Sequence, residues 1–236
     1  MTSISMRFKR FAIYYTPPEG AFSAAAAHWL GWDCARGQAV KPASAFLDAL
    51  APLDWNETTQ APRRYGFHAT IKPPFALAPG QQAAELSEVF ALHCRSQKPV
   101  ALDGLTLSPM GRFLALVPEK STQDLSELAA KTVRDLDMFR AAPSIEELAR
   151  RRSTGLTPQQ ELLLQTWGYP YVMEAFRFHM TLTGRLPKAD LPRVANVLNQ
   201  LIVPHLPRPF PLDALSLMGE DEAGHFHVIT RLALSG

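Results

Sequence analysis

Two stretches of this chain alternate apolar and polar residues, which is the pattern of β-strands that bury only one face. The first is RRYGFHATIKPPFAL at 63–77 and the second is EAFRFHMTLTGRLP at 174–187. The apolar rows are Tyr65, Phe67, Ala69 and Ile71 in the first stretch and Phe176, Phe178, Met180 and Leu182 in the second. The polar rows are Arg64, Gly66, His68, Thr70 and Lys72 in the first and Arg177, His179, Thr181, Thr183 and Arg185 in the second. Each strand is therefore predicted to pack its apolar row on a core and to present cations and hydroxyls on its other face.

Periodicity in the rest of the chain predicts a mixture of helices and strands. Proline pairs end two of the strands, and Ser121, Ser144 and Thr157 are predicted N-caps of helices. The predicted strands lie near 7–16, 64–72, 99–109, 111–119, 174–186, 208–218 and 225–234. The predicted helices lie near 21–32, 81–96, 121–139, 144–152, 157–167 and 188–202.

The two alternating stretches belong to a longer internal repeat. The string LDGLTL at 102–107 matches LDALSL at 212–217, at similar distances from the preceding motif: 33 residues separate Thr70 from Asp103, and 32 separate Thr181 from Asp213. Two copies are too few for a solenoid. The repeat instead predicts a single domain over 1–236, built from two lobes related by a pseudo-twofold axis. The predicted parts are lobe 1 at about 7–120, a helical insert at about 121–172 and lobe 2 at about 173–236.

Composition and charge narrow the classes of function. The chain has 236 residues, 47% apolar and 19% charged, with a net charge of +2, so charge alone indicates no general attraction to nucleic acid. Two cysteines, Cys34 and Cys94, are too few for a disulfide framework or a four-cysteine metal site, which favours a reducing cytoplasmic setting. The N-terminus lacks the order of a signal peptide, and the apolar run AFSAAAAHWLGW is too short to span a bilayer. We therefore expect a cytoplasmic protein without a membrane partner.

If the two lobes face each other, their polar rows form the walls of one cleft. Lysine and arginine supply positive charge and threonine hydroxyls donate directed hydrogen bonds, so the cleft suits a small phosphate ester. Neither row contains a carboxylate, and we expect no metal and no other cofactor. The unperturbed pKa of histidine, about 6.5, allows one of His68 and His179 to be neutral and the other protonated near neutral pH. One could then take a proton from water while the other donates a proton to the leaving alkoxide.

The paired His-x-Thr motifs in a duplicated chain resemble the two-histidine (2H) phosphoesterase superfamily. The fuller strings RRYGFHATIKPPF and WGYPYVMEAFRFHMTLTGRLP resemble a narrower bacterial branch that is linked to phosphonate utilisation operons. The resemblance implies a bilobal α+β fold in which two antiparallel sheets face each other across a central cleft, with helices on the outside. It implies His68 and His179 as the catalytic pair and Thr70 and Thr181 as phosphate ligands. By analogy with the cyclic phosphodiesterases of the superfamily, His68 would be the acid and His179 the base.

The function implied by the resemblance is a metal-independent hydrolase that opens a cyclic phosphodiester, such as a ribosyl cyclic phosphate from phosphonate breakdown. Two alternatives stay open. The first is an RNA 2′,3′-cyclic phosphodiesterase or end-processing enzyme, although the sequence has no aromatic and basic stripe of the kind that binds RNA. The second is a phosphometabolite-binding protein that uses the same cleft without turnover. The sequence determines neither the substrate nor the oligomeric state.

Residues next to the motifs are further candidates for substrate contacts. They are Lys72, Arg64, Arg177 and Arg185 on the polar rows and Tyr169 and Tyr171 just before the second strand, where they could stack on a base or sugar. His225 and His227 share one strand face, as half of a zinc site would, but no further ligands accompany them in the sequence. The run 150–152 is three arginines in the segment 144–171, which has no counterpart before the first motif and could form a lid.

Overall fold

The computed structural model describes residues 8–120 and 122–236. The start of the first predicted strand at Arg7 and the predicted cap Ser121 lie outside the described residues. The strands are β1 (Arg10–Tyr15), β2 (Trp32–Asp33), β3 (Gln38–Ala39), β4 (Ala69–Phe75), β5 (Val100–Leu102), β6 (Leu105–Met110), β7 (Phe113–Pro118), β8 (Met180–Thr181), β9 (Phe210–Leu212), β10 (Ala214–Glu220) and β11 (Phe226–Ala233). The helices are α1 (Ala21–Leu30), α2 (Ser44–Leu50), α3 (Trp55–Arg63), α4 (Ala83–Ser96), α5 (Gln123–Asp135), α6 (Ile145–Arg152), α7 (Pro158–Trp167) and α8 (Leu191–Leu201).

A seven-stranded antiparallel sheet in the order β11-β10-β1-β4-β8-β7-β6 organises the fold. The predicted α+β class with antiparallel strands is confirmed. The two expected sheets are continuous with each other, because β4 and β8 pair at the centre. The hairpin β10–β11 lies on the β4 side of the sheet and the hairpin β6–β7 lies on the β8 side. Each side of the sheet therefore combines a His-x-Thr strand from one sequence repeat with a hairpin from the other.

Two strand pairings relate equivalent residues of the repeats. β5 pairs with β9 so that Ala101 lies opposite Pro211, and these two residues are the matching positions directly before LDGLTL and LDALSL. β4 pairs with β8 through Ala69 and Met180, the middle residues of the two His-x-Thr motifs. An antiparallel pairing of equivalent residues has a local twofold axis between them, so both pairings agree with the pseudo-twofold that the repeat predicts.

The main hydrophobic core lies under the apolar rows of the two motif strands. Its members include Phe67, Ala69 and Ile71 from the first row and Phe178, Met180 and Leu182 from the second, all buried as the alternation predicts. β1 is buried on both faces, because Phe11, Ile13 and Tyr15 join this core. Its other face belongs to a second cluster, whose members are Ala12, Tyr14, Trp32, Cys34, Met218 and Phe226, with Tyr65 packed against them.

Serine and threonine hydroxyls cap the N-termini of the three helices α5, α6 and α7. Ser144 accepts from the N–H of Glu147 at the start of α6, and Thr157 forms a capping box with Gln160 before Pro158 opens α7. Both caps are confirmed, and they follow from the preference of Ser and Thr for satisfying free N–H groups at helix starts. α5 begins one residue later than predicted and is capped by Thr122.

The second motif strand forms fewer ladder hydrogen bonds than its alternation predicts. Only Met180 and Thr181 pair as a strand, and a 3₁₀ turn occupies Met173–Ala175. Beyond Thr181 the chain stays beside β7, but the hydroxyl of Thr183 accepts from the N–H of Leu114 at 2.9 Å, in place of a backbone carbonyl. None of the helices in the described parts of the chain combines the length and the apolar character that crossing a membrane requires.

Candidate active site

β4 and β8 meet at one pair of residues, Ala69 and Met180. Residue numbers in an antiparallel ladder run in opposite directions, so each histidine lies opposite the threonine of the other motif. The residues on either side of a pair point to the face that the pair itself does not use. The two histidines and two threonines therefore share one face. His68 and His179 take diagonal positions on it, and in a regular ladder the Cα atoms of such residues are about 7–8 Å apart.

Burial follows the same parity. Ala69 and Met180 are fully buried on the core side. The four motif side chains are partly exposed on the cleft side, and they are His68, Thr70, His179 and Thr181. The pairing thus brings the four predicted catalytic and phosphate-binding side chains together at the centre of the sheet.

The ring of His68 is fixed by two hydrogen-bonding neighbours. Its Nδ1 lies 2.9 Å from the carbonyl oxygen of Gly66 and its Nε2 lies 3.2 Å from Oγ1 of Thr70. A carbonyl oxygen can only accept, so Nδ1 carries a proton and donates it to Gly66. In the neutral ring, Nε2 then has a free lone pair beside the Thr70 hydroxyl.

The ring of His179 is oriented by the same backbone relation. Its Nδ1 lies 2.8 Å from the carbonyl oxygen of Arg177, two residues earlier, as Gly66 is two residues before His68. The same reasoning puts a proton on Nδ1. Since each Nδ1 is turned towards its own backbone, Nε2 lies on the opposite edge of each ring, where that of His68 meets the Thr70 hydroxyl. This is the tautomer that a histidine needs to exchange protons at Nε2.

Burial controls the protonation of His68. It lowers the pKa of His68 to about 4; the bond to the Gly66 carbonyl opposes this shift, and the charge of His179 adds to it. The rings of Tyr14 and His68 are stacked, with centroids 4.0 Å apart. Near neutral pH, His68 is therefore a neutral imidazole.

A cavity of about 1200 Å³ opens beside the motifs. Thr70 and His179 lie on its wall, between the β6–β7 hairpin and residues 169–179. Its volume lies above the range of about 300–1,000 Å³ that is usual for ligand pockets, so a ligand larger than a single pentose has room in it. Much of the wall is apolar, with Phe113 of β7 6.1 Å from the ring of His179.

Lys72 does not reach this cavity, and its expected role as a substrate contact is wrong. Only 1% of its surface is exposed, and its Nζ lies 2.9 Å from Oδ1 of Asp137 and 3.1 Å from the carbonyl oxygen of Val133. The ladder with β1 is irregular here, because Tyr14 pairs with Thr70 whereas Ile13 pairs with Lys72, and the lysine contacts α5 and the turn after it. The cation neutralises a carboxylate inside the protein.

The other candidate contacts divide into two groups by position. Tyr169, Tyr171 and Arg177 line the cavity with His179, and the two tyrosine rings meet edge to face at 5.7 Å. Arg64 and Arg185 are exposed and are not among the residues lining the cavity. Arg64 instead donates to the hydroxyl of Tyr65 at 2.7 Å, on the His68 side of the site.

The helical insert lines part of the cavity directly, through Tyr169 and Tyr171 among others, and an arginine of the insert packs on Tyr169. The guanidinium of Arg151 lies 4.4 Å from the centre of the Tyr169 ring, and it also pairs with Glu147 at 2.8 Å. Arg152 pairs with Glu161 on α7 at 2.6 Å. The insert therefore braces one of the aromatic rim residues, and a lid motion of 144–171 stays a prediction.

The histidine pair near the C-terminus is engaged with a carboxylate. Nε2 of His227 lies 2.8 Å from Oδ2 of Asp221, and the backbone N–H of His225 donates to Oδ1 of the same group. Within residues 8–120 and 122–236, no group of three or more His, Cys, Asp or Glu side chains is arranged to hold a metal ion.

Two residues of the site were not predicted from the sequence, Tyr14 beside His68 and Phe113 beside His179. Both lie on predicted strands. The alternation within β1 or β7 does not show, however, that β1 lies beside β4 or that β7 lies beside β8. The repeat contains a partial signal, because the strands that flank the motifs must also be related by the pseudo-twofold.

Comparison with known proteins gives one family and two longer relatives. The model of the family described as "Protein of unknown function (DUF1045)" matches residues 70–227. A protein of Janthinobacterium sp. (strain Marseille), named ribose 1,5-bisphosphate phosphokinase PhnN, is 35% identical over 221 residues, covering 91% of this chain and 48% of the relative. A protein of the same name from Laribacter hongkongensis (strain HLHK9) is 33% identical over 230 residues, covering 94% of this chain and 51% of the relative. The chain spans about half the length of the curated relatives it matches.

Solved structures of similar shape include LigT of E. coli and a phosphoesterase. LigT of E. coli complexed with 3′-AMP aligns with a TM-score of 0.45 and 13% identity, covering 98% of this chain and 100% of that chain. A protein described as a phosphoesterase aligns with a TM-score of 0.43 and 14% identity, with the same coverage. At these TM-scores the likeness carries no functional conclusion. The two His-x-Thr motifs lie side by side on neighbouring strands of one sheet.

Proposed function

This chain belongs to the family described as "Protein of unknown function (DUF1045)", and we propose that it is a phosphoesterase that opens a cyclic phosphodiester with His68 and His179 as an acid–base pair. The observation that carries the proposal is the shared geometry of the two rings. Each has Nδ1 bound to the carbonyl oxygen two residues earlier, and each motif adjoins the other through the Ala69–Met180 pair. Two imidazoles that each direct Nε2 away from their own backbone, on one face of the sheet, are equipped to move two protons around a phosphoryl group.

In the proposed reaction the phosphoryl group lies between the two motifs. The hydroxyls of Thr70 and Thr181 donate to its non-bridging oxygens and stabilise the charge that develops there. One imidazole takes a proton from the attacking water, and the other gives a proton to the leaving oxygen of the ring. The product is a phosphomonoester that keeps both oxygens of the original diester on the same molecule. The mechanism requires no metal, since each charge that develops faces a hydroxyl or an imidazole.

For the substrate we propose a ribosyl cyclic phosphate. The relatives are named for a kinase that acts on ribose 1,5-bisphosphate. This chain contains no Gly-x-x-x-x-Gly-Lys-Ser/Thr loop for a nucleotide triphosphate, so we assign it a reaction other than the kinase step. Hydrolysis of a 1,2-cyclic phosphate on ribose 5-phosphate gives a ribose bisphosphate, the class of compound in that name. The resemblance to proteins of phosphonate utilisation operons supports the same substrate.

A second candidate is a cyclic phosphodiester that carries a nucleoside, as at the end of an RNA strand. The cavity favours it, because its volume and its aromatic rim of Tyr169, Tyr171 and Phe113 suit a planar group next to the phosphate. Base–aromatic stacking is worth about 1–3 kcal/mol per base and does not depend on the sequence of the nucleic acid.

A panel of cyclic phosphodiesters, assayed with excess EDTA, tests the proposal. It comprises ribose 5-phosphate 1,2-cyclic phosphate, the four nucleoside 2′,3′-cyclic phosphates and a short RNA with a 2′,3′-cyclic end. Turnover of the sugar compound alone supports the first substrate, and turnover of the nucleoside compounds supports the second. Tight binding without turnover would make the protein a phosphometabolite-binding protein. A requirement for added metal ions would contradict the mechanism.

A further inference from the structure

We infer that Tyr14 is a positioning residue whose ring keeps His68 neutral, so that His68 acts as the general base and His179 as the general acid. The inference rests on the proposed function, because it divides the two roles of that reaction between histidines that the motifs alone make equivalent. It gives a role to a side chain outside both motifs. It also exchanges the roles that the sequence resemblance implies, in which His68 is the acid and His179 is the base.

The strands that flank the motifs break their equivalence. β1 pairs with β4 so that Tyr14 lies beside Thr70, and β7 pairs with β8 so that Ala115 lies beside Thr181. The pseudo-twofold that relates Thr70 to Thr181 therefore relates Tyr14 to Ala115. An aromatic ring stands on one side of the site where a methyl group stands on the other.

Tyr14 uses this position to cover the imidazole of His68. The ring centroids are 4.0 Å apart and the planes are inclined by 24°, while Tyr14 itself is 1% exposed. Phe226 supports Tyr14 from 5.7 Å, and Tyr65 lies 5.8 Å from His68 on the same side. One face of the imidazole is therefore packed against rings in place of water.

Loss of water from this face disfavours the imidazolium. Burial accordingly outweighs the Gly66 carbonyl in setting the pKa of His68 at about 4, and the charge of His179 acts in the same direction as burial. Tyr14 adds no charge, because burial raises its own pKa well above the usual range. The titratable and charged groups on the surrounding elements are Arg10 and Tyr14 on β1, Glu220 on β10, Arg64 and Tyr65 before β4, Tyr169 after α7 and His179 directly before β8.

The environment of His179 is different. Its ring borders the cavity, and its aromatic neighbour Phe113 is 6.1 Å away with the planes inclined by 52°. No described residue stacks on it as Tyr14 stacks on His68. His179 lines this cavity, so we assign to it the transfer of a proton to the leaving group.

The assigned roles give a balanced step. The water oxygen forms a bond to phosphorus while Nε2 of His68 takes one of the water protons. The bond from phosphorus to the ring oxygen breaks, and that oxygen takes the proton from Nε2 of His179. His68 ends protonated and His179 ends neutral, and exchange of one proton each with solvent restores both.

Two variants of Tyr14 separate its ring from its hydroxyl. Tyr14→Phe retains the stack on His68 and serves as the matched control, whereas Tyr14→Leu removes the ring. The protonation of His68 is followed by ¹⁵N-detected NMR of the ring nitrogens from pH 4 to pH 8, with His68→Asn used to assign the signal. The pH dependence of kcat/KM is measured on the same proteins.

In the wild type and in Tyr14→Phe, we expect Nε2 of His68 to be unprotonated at pH 6 and Nδ1 to carry the proton. In Tyr14→Leu, the midpoint of His68 rises by at least about one pH unit, and the acidic limb of kcat/KM moves with it. His68 protonated at pH 6 in the wild type would overturn the inference, and this result needs no variant to fold. An unchanged midpoint in folded Tyr14→Leu would also overturn it.

The NMR titration needs no substrate, so it distinguishes failure of this inference from failure of the proposed function. One outcome is a low titration midpoint for His68 with no turnover of any panel compound. Tyr14 would then still set the charge of His68, but the catalytic roles assigned to the two histidines would be removed. Turnover that depends on both histidines, with a high midpoint for His68, would retain the phosphoesterase and remove Tyr14 and the assigned roles.

Discussion

Lys72 Nζ lies 2.9 Å from Asp137 Oδ1. The lysine two residues after Thr70 is therefore buried inside the protein against a carboxylate. Arg140 binds the same carboxylate through both oxygens, with Nε and Nη2 each at 2.8 Å. These partners hold the pKa of Asp137 below its usual value in spite of its burial. The carboxylate of Asp137 therefore pairs with two cations. Removing one cation should lower the free energy of unfolding by a different amount from removing the carboxylate.

We expect Asp137→Asn to destabilise the protein by about 3–5 kcal/mol, because it leaves the buried Lys72 without a counter-charge. Lys72→Met should cost about 1–2 kcal/mol, since Asp137 keeps Arg140 and the methionine fills the space of the lysine stem. Urea unfolding of both variants measures the difference. If Lys72 contacted substrate, Lys72→Met would instead raise KM and leave the free energy of unfolding almost unchanged.

His68→Asn and His179→Asn should each lower kcat by about 10²–10⁴-fold, because each removes one proton transfer from the reaction. Asparagine can still donate to the carbonyl that each Nδ1 uses, so the fold and the binding of a phosphate ester should persist. His205→Ala is the matched control, as this histidine is exposed and lies outside the cavity. A variant of either motif histidine that keeps full activity would remove that residue from the mechanism.

The sequence predicted the faces of the two motifs but not the surroundings of Lys72. Alternation at period two assigns His68, Thr70 and Lys72 to one face, but the register of β4 against β1 shifts between Thr70 and Lys72, so Lys72 pairs with the core residue Ile13. α5 also covers Lys72, since the carbonyl of Val133 accepts from its Nζ. Coverage by a helix more than fifty residues later leaves no trace in local periodicity, so the role of Lys72 was misassigned.

The repeat predicted which residues are equivalent but not how the strands are ordered. Ala69 and Met180 are equivalent and also paired. The hairpins β6–β7 and β10–β11 are equivalent too, but each joins the motif strand of the other repeat. Sequence order does not determine which strand edges pair. Helix α3 was also not predicted, although Asp54 caps it by accepting from Glu57, a spacing visible in the sequence.

Gly66→Ala should destabilise the protein more than Gly80→Ala. Both glycines have positive φ, 70° and 85°, where an alanine is strained. A Cβ at Gly66 would also meet Sγ of Cys34 at 2.7 Å, whereas a Cβ at Gly80 would have no atom within 4 Å. Gly80→Ala thus measures the strain of the backbone, about 1 kcal/mol, and the excess at Gly66 measures the steric clash.

Thermal and urea unfolding of the two glycine variants give the comparison. Because the carbonyl of Gly66 orients His68, we also expect Gly66→Ala to lower kcat in the folded protein, whereas Gly80→Ala leaves it unchanged. Equal free energies of unfolding for the two variants would mean that Cys34 moves aside without cost.

The stability of the protein should fall in mild acid, in part because of His68. Its folded-state pKa of about 4 lies below the unfolded value of about 6.5. Between about pH 6.5 and pH 4 the unfolded chain therefore binds a proton at this histidine that the folded protein does not bind. The contribution of His68 to the free energy of unfolding is complete above about pH 6.5 and decreases as the pH falls towards 4. Between pH 7.5 and pH 5, this one group removes about 2 kcal/mol.

His68→Asn isolates that contribution. His93 also has a pKa lowered by burial and acts in the same direction, but it is present in both proteins and cancels from the difference. We expect the free energy of unfolding of the wild type to fall by about 2 kcal/mol more than that of His68→Asn when urea titrations at pH 7.5 and pH 5 are compared. Parallel losses in the two proteins would mean that His68 takes up its proton as readily in the folded state as in the unfolded chain, and the aromatic cover from Tyr14 would then have no electrostatic effect.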